Sequence, residues 1–436
     1  MDPILAGVIA IAVLLSLVAI RVPVAFAMLG VGFVGLCLLR SPLFALIQLQ
    51  TVPYALVASY TFVVVPMFVL MGSIAAESGL IKDLYRAAHI WLEELKGSLY
   101  YATVVGSTLF AAISGSTIVN SAMFTRVALP EMIKFNYHRG FSAGCIAGVG
   151  TLAALIPPSL SFVIYGILTE QSIGQLLIAG VIPGLLTAVM FILVIKVTIW
   201  IKPSWAPEPA ARHSYRERFQ SLGAIWPVTV LVLLVLGGIY TGILPPSAAG
   251  AVGAVGALAL ALLRRSISAP GLRSSFEATI SMTAVIFIIL IGGMLFSRFL
   301  LASGFVTEMN LLVSDNAVST FMFMASLVLV YFVLGMFVDP MSMMVMTLPV
   351  FFPISQAMNI DPIWFGVIVI KLVEIAVITP PVGMNLFAVV SGAEGKVKTS
   401  EVFVGVLPFL VAELLALSVL FLFPSLATYL PEQMMN

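Results

Sequence analysis

The chain has 436 residues, of which 61% are apolar and only 9% are charged, and its formal net charge is +1. Soluble domains run nearer one quarter charged, so an ordinary water-soluble fold is excluded; near-neutrality without a long basic tract excludes a nucleic-acid surface. Many stretches exceed the roughly 20 apolar residues that a helix needs to cross a bilayer, which predicts an all-α polytopic membrane protein.

Ile4–Ile20 and Val24–Leu39 read as two spans joined by the tight connection Arg21-Val22-Pro23. The first has neither a basic leader nor a small-residue cleavage site, so it reads as a retained span, not a signal peptide. Leu46–Ala76 is long for one crossing and contains Pro53 and Pro66, which predicts an interfacial piece before a span over Thr61–Ala76. In Ile81–Lys96, Leu84, Ala88, Trp91, Leu92 and Leu95 recur at helical spacing among charged residues, the pattern of an amphipathic helix at the membrane surface. Such a helix serves either as an arm between a moving and a fixed part or as a plain connector.

Tyr100–Leu129 has small, hydroxyl and amide residues at its centre: Ser114, Gly115, Ser116, Thr117, Asn120 and Ser121. Two readings stand. Small residues let a straight helix pack closely on its neighbours, whereas a re-entrant hairpin turning at Ser114-Gly115-Ser116 would present its tip to an ion. Pro130–Gly140 reads as a solvent-facing turn, with His138 at headgroup level, not in a proton relay. Phe141–Ala154 then meets the break Ile156-Pro157-Pro158-Ser159, Leu160–Leu168 completes that span, and Ile178–Ile201 makes the next.

Lys202–Gln220, with Lys202, Arg212, Arg216 and Arg218, is the longest hydrophilic connection; its basic excess places it in the cytoplasm. Ala224–Ile239 and Ala249–Leu263 bring the chain back to the same side, where Arg264, Arg265 and Arg273 lie, with the turn Gly242–Ser247 opposite. Glu277–Leu300 is a further span, followed by a polar turn around Glu308, Asp315 and Asn316. Ser319–Phe352 is apolar but interrupted by Gly335, Asp339-Pro340 and Ser342. A charge within apolar sequence is expensive, so Asp339 either joins a ligand site or caps a helix at a hairpin tip. Trp364–Thr379 carries Lys371 and Glu374 at a spacing that lets them pair and enters the break Thr379-Pro380-Pro381-Val382-Gly383. Proline removes a backbone donor and glycine tolerates unusual dihedrals, so no single helix runs through it. Val402–Phe423 is the last span, with Glu413 inside it and no assigned role.

The two breaks are related. Pro157-Pro158 and Pro380-Pro381 are 223 residues apart, Pro130 and Pro349 are 219 apart, and Pro183 and Pro408 are 225 apart. This frame predicts an internal duplication: a half over 1–220 with a hairpin near 97–130 and a broken helix near 150–168, and a half over 221–436 with a hairpin near 318–354 and a broken helix near 364–392. Broken apolar segments at matching positions of two halves point to a transporter's binding site. The broken helices expose carbonyls that, with hydroxyl and amide side chains, suffice for Na⁺, and half-helix N-termini favour an anionic substrate. The candidate groups are Ser114, Gly115, Ser116, Thr117, Asn120, Thr151, Pro157 and Ser159 in the first half, and Gly335, Asp339, Thr379, Pro381, Gly383 and Asn385 in the second. Neither a phosphate-binding G-x-x-x-x-G-K-[ST] loop nor H-E-x-x-H nor C-x-x-C occurs, which excludes ATP hydrolysis by this chain and leaves no catalytic arrangement. A self-contained carboxylate carrier driven by Na⁺ or H⁺ remains open, as does a channel or structural subunit.

The combination ISGSTIVNSA (113–122), IPPS (156–159), FVDPMSMMVMTLP (337–349) and EIAVITPPVGMNLF (374–387) resembles the large membrane subunit of the tripartite ATP-independent periplasmic (TRAP) transporters, the DctM-like permeases. The similarity runs from about Ile4 to Phe423. It implies a non-enzymatic, elevator-type transporter with inverted repeats, two re-entrant hairpins and interleaved scaffold and transport domains, with Na⁺ as coupling ion and no cofactor. It further implies a bacterial inner-membrane location, a separate small four-helix subunit and a soluble periplasmic substrate-binding protein. The substrate implied is an organic anion: a C4-dicarboxylate, a sialic acid or another sugar acid. Carried onto this chain, the sodium sites fall where each hairpin tip meets its break, and Ile81–Lys96 becomes the arm helix.

Overall fold

A computed structural model describes residues 2–209, 213–315 and 318–434. Arg212 and Asn316, named above in two polar connections, lie outside the described residues. The described chain is helical. Helix α1 (Pro3–Ala19) and α2 (Val24–Leu39) are followed by α3 (Pro42–Ala58), a short 3₁₀ turn at Tyr60–Val63 and α4 (Val64–Glu77). Pro53 sits within α3, and the break expected in this region falls at Ser59. Several helix starts follow from the sequence: Asp2-Pro3, Ser41-Pro42, Asp339-Pro340 and Asp361-Pro362 place a capping oxygen before a proline with no amide to satisfy. Asp2 accepts from Ile4 N–H at 2.8 Å, and Asp361 accepts from Trp364 N–H at 2.7 Å.

The surface helix α5 (Leu80–Leu92) ends earlier than Lys96. It buries Leu80, Ile81, Leu84, Tyr85 and Ala88, whereas Trp91 and Leu95 are exposed. The early stop has a physical reason: three charged residues, Glu93, Glu94 and Lys96, fall within 93–96 and Gly97, at φ 85°, turns the chain into the next helix.

Helices α6 (Ser98–Ser114) and α7 (Thr117–Lys134) pack against each other on either side of Gly115-Ser116, which decides for the hairpin over the straight helix. The turn expected at Pro130–Gly140 is shorter, because α7 continues through Pro130 to Lys134. The chain resumes with α8 (Arg139–Gly150), α9 (Leu152–Leu155) and α10 (Leu160–Thr169), and the axis bends by 42° across the Pro-Pro break. Helices α11 (Ile173–Ala179) and α12 (Val181–Ile201) complete the first part.

The hydrophilic connection contains α13 (Tyr215–Leu222), started by a capping box between Ser214 and Glu217. Its axis turns by 43° into α14 (Trp226–Tyr240), followed by α15 (Pro246–Leu263). Helix α16 (Ala269–Ala302) begins eight residues before the expected span; its 34 residues make it about 50 Å long, beyond the roughly 30 Å hydrocarbon core. The polar turn expected at Glu308 and Asp315 is instead helix α17 (Phe305–Asp315), anchored by buried Phe305 and Val306. Helices α18 (Thr320–Leu334) and α19 (Pro340–Ala357) form the second hairpin, both packing on α20 (Pro362–Ile378). After the break come α21 (Met384–Gly392), α22 (Thr399–Leu422) and α23 (Ser425–Met434), the last beyond the expected final span.

Five helices among the described residues are long and apolar enough to cross a bilayer, or seven if each bent pair is one span. Large apolar side chains face outward, as with Trp200 at 81% and Phe321 at 82% exposure, while polar residues gather inside. This inversion of a water-soluble surface fits lipid as the surrounding medium. Inside, backbones approach closely: a Cβ added to Gly144 of α8 would lie 2.1 Å from the Gly405 carbonyl carbon of α22. Only glycine lets these two helices meet there.

Candidate functional site

The first junction is built from the α6–α7 tip and the break between α9 and α10. Gly115 adopts φ 60°, and its carbonyl accepts a hydrogen bond from Leu160 N–H at 3.3 Å. A Cβ at Gly115 would lie 2.5 Å from the Pro158 carbonyl oxygen. Ser116 caps α7, and Thr117 opens that helix. Ser159 caps α10 by accepting from Phe162 N–H at 3.3 Å, and its hydroxyl donates to the Ala154 carbonyl. Pro157 is buried, as is every residue from Gly150 to Leu160.

Oxygen atoms without partners concentrate beside this junction. The hydroxyls of Ser114 and Ser121 and both amide atoms of Asn120 are buried and make no hydrogen bond. Buried polar groups ordinarily find partners, so this group is a marked exception. Ser121 lies against Gly150, where an added Cβ would come within 1.8 Å of its hydroxyl oxygen. The Thr151 hydroxyl, by contrast, has partners: it lies 2.7 Å from the Gly148 carbonyl oxygen and 2.8 Å from Glu413 Oε1.

At the second junction, Gly335 lies against the end of α20, where an added Cβ would sit 2.3 Å from Ala376 Cβ. Asp339 caps α19, its Oδ1 accepting from Met341 N–H at 3.1 Å and Ser342 N–H at 3.0 Å. Asp339 and Ser342 line a cleft of about 530 Å³ with Val382 and Met384 from the break and Arg21 from the α1–α2 turn. The Thr379 hydroxyl donates to the Ile375 carbonyl at 2.6 Å, and Gly383 holds φ 43°. Unlike Pro157, Pro381 is exposed. Asn385 also contacts the first half: its Nδ2 donates to the Ala147 carbonyl of α8 at 3.4 Å, and its Oδ1 has no partner. Chemically, each junction offers carbonyl and hydroxyl oxygens and no compact set of anions, a donor set suited to a hard monovalent cation.

Known proteins match this chain in sequence and in fold. The family model described as "Tripartite ATP-independent periplasmic transporter, DctM component" matches residues 11–426. The chain belongs to that DctM family. Among relatives, the C4-dicarboxylate TRAP transporter large permease protein DctM of Pseudomonas aeruginosa is 34% identical, with 86% of each chain covered. The sialic acid TRAP transporter large permease protein SiaM of Vibrio cholerae is 30% identical, covering 86% of this chain and 87% of that one. The ectoine TRAP transporter large permease protein TeaC of Halomonas elongata is 32% identical, covering 88% and 90%. In fold, the chain is similar to the crystal structure of the Alcanivorax borkumensis YdaH transporter, with a TM-score of 0.62 at 14% identity over 99% of this chain and 100% of that one. The DctM chain is thus a multi-pass membrane component of a transporter and not an enzyme.

Two features of this DctM chain escaped the sequence reading. Lys371 pairs with Glu374 at 2.9 Å as its spacing predicts, but it also pairs with Glu413 and donates to the Thr187 hydroxyl at 2.8 Å. Glu413 in apolar sequence was the available signal; nothing in the sequence named its partner.

The second is the fastening of α5 to the connector. Glu93 accepts from the backbone and ring of His213, Arg218 pairs with Glu94 at 2.6 Å, and Trp91 Nε1 donates to the Arg218 carbonyl at 3.1 Å. Burial favours the neutral acid of Glu93, but the donors of His213 and Arg218 outweigh it and hold the carboxyl below its ordinary range. His138, expected at headgroup level, caps α8 through Nδ1 at 3.2 Å and stacks on Trp205 with ring centroids 4.2 Å apart.

Proposed function

We propose that this chain is the large membrane subunit of a sodium-coupled secondary transporter that takes up an organic acid, a C4-dicarboxylate, a sialic acid or another sugar acid. It works in the bacterial inner membrane with a separate small four-helix membrane subunit and receives its substrate from a soluble periplasmic binding protein. The halves 1–220 and 221–436 are inverted repeats whose hairpins and broken helices form the transport domain, and this domain moves as an elevator against a scaffold. Sodium sits at each junction of tip and break. The first site draws on Ser114, Gly115, Ser116, Thr117, Asn120, Thr151, Pro157 and Ser159, and the second on Gly335, Asp339, Thr379, Pro381, Gly383 and Asn385.

The observation that carries this reading is the cluster of buried, partnerless oxygens of Ser114, Asn120 and Ser121 beside a helix break. A cation supplies what those oxygens lack, at a place where unwound backbone is tolerated because protein encloses it. The hydroxyls of Ser159 and Thr379 donate to carbonyls, which leaves oxygen lone pairs for an ion.

The test is uptake of labelled acids into proteoliposomes holding this chain and its small partner. Uptake that requires both an inward Na⁺ gradient and the binding protein is the expected result. Uptake without the binding protein would assign a self-contained carrier instead, and downhill flux that never saturates would assign a channel.

A further inference from the structure

Where α12, α20 and α22 meet, they enclose three charged side chains, Lys371, Glu374 and Glu413, each with no solvent exposure. The Lys371 ammonium donates to the Thr187 hydroxyl and to Glu374 Oε2 and also forms an ion pair with Glu413 Oε2. The two carboxyls are not equivalent. Glu413 has a polar neighbour at each oxygen: Oε1 accepts from the Thr151 hydroxyl at 2.8 Å, and Oε2, although outside hydrogen-bonding geometry, is ion-paired with Lys371. Glu374 is held only at Oε2, and its Oε1 is buried without a partner.

With both acids ionised, the cluster would carry one uncompensated negative charge in a lipid-embedded protein interior. Burying an unpaired charge costs several kcal/mol or more, and a buried group relieves this by becoming neutral. The charged groups facing Glu374 are Lys371 on its own helix and Glu413 on α22, while α12 contributes only the Thr187 hydroxyl. We propose that Glu374 holds a proton at neutral pH, making this cluster a proton-binding site. Glu413 is then the counter-ion of Lys371, and Glu374 is a neutral hydrogen-bonding partner. The inference counts charges alone and stands or falls independently of sodium coupling.

Infrared spectra of the full chain, reconstituted with its small partner in lipid at neutral pH, test this assignment. The wild type is expected to show the C=O stretch of a buried protonated carboxyl, lost in Glu374→Gln and unchanged when potassium replaces sodium. Glu413→Gln is expected to lose the same band, because Glu374 then ionises to pair with Lys371. Glu374→Gln, the neutral mimic, should melt close to the wild type and well above Glu413→Gln. If Glu374→Gln does not fold, ¹³C-glutamate labelling of the wild type must shift the band. A wild type without the band in either salt would overturn the proposal. So would a band that disappears when sodium is added, since the missing positive charge would then be a metal ion.

Discussion

The carbonyl of Gly115 accepts a hydrogen bond from the N–H of Leu160 at 3.3 Å, fastening the first hairpin tip to the start of the helix beyond the break. Gly115 can do so because it has positive φ and no side chain to strike Pro158. Gly115→Ala is therefore expected to lower stability by more than about 1 kcal/mol and to reduce uptake at least about tenfold, the equivalent of about 1.4 kcal/mol. Gly237→Ala in α14, where an added Cβ meets nothing, should leave both unchanged. Thermal melts and initial uptake rates of the two variants give the comparison.

Asp339 combines a cap with a charge at the cleft. Asn caps as well as Asp, so Asp339→Asn should melt like the wild type, whereas Asp339→Ala should lose about 1 kcal/mol. If the carboxylate also helps hold sodium, as proposed, Asp339→Asn raises the half-saturating Na⁺ concentration about tenfold, or about 1.4 kcal/mol. An Asn variant with wild-type sodium dependence would reduce Asp339 to a cap.

The Glu93–His213 fastening has a definite sign in pH. Because the folded state holds Glu93 below its ordinary range, its contribution is present above the unfolded value, near 4.3, and is lost as pH falls through the folded one. Glu93→Gln should therefore destabilise by about 1 kcal/mol at pH 7 after screening. The difference should vanish in acid. Melting curves of both proteins at several pH values would show the gap closing downward, and a gap that widened on acidification would contradict the assignment.

Lys371→Met removes the only cation from a cluster with two carboxyls. Truncating one side of a buried ion pair costs about 3–5 kcal/mol, so this variant should be poorly folded. Adding Glu413→Gln should restore much of the loss by removing the orphaned partner, which a double-mutant cycle would measure as strong coupling.

Much of the helix layout is legible because membrane helices write their limits in local chemistry. Asp361-Pro362 starts a helix by capping, and Thr379–Gly383 ends one because two prolines and a glycine cannot continue it. The turn at Gly115 was not decided by composition, since small residues serve a tight helix contact and a hairpin tip equally well. The polar side chains of Glu308 and Asp315 suggested a turn, but a helix with one anchored end carries them outward just as well. Glu413 and Glu374 stand 39 residues apart on different helices, and Thr187 is farther still. No local pattern encodes their meeting, which arises only from how α12, α20 and α22 pack. Similarly, Thr151 stands beside the first break in sequence, but nothing local announces that its hydroxyl also meets a carboxylate from α22.

The two breaks differ in access: every residue of Gly150–Leu160 is buried, while Val382 and Met384 line a cleft. An ion already in the cleft can meet the second break directly but must wait for a structural fluctuation to reach the first. The two breaks therefore run on different clocks in this conformation. Rapid mixing with a binding ion should resolve a quick phase whose rate follows concentration and a slow one that saturates at the rate of opening.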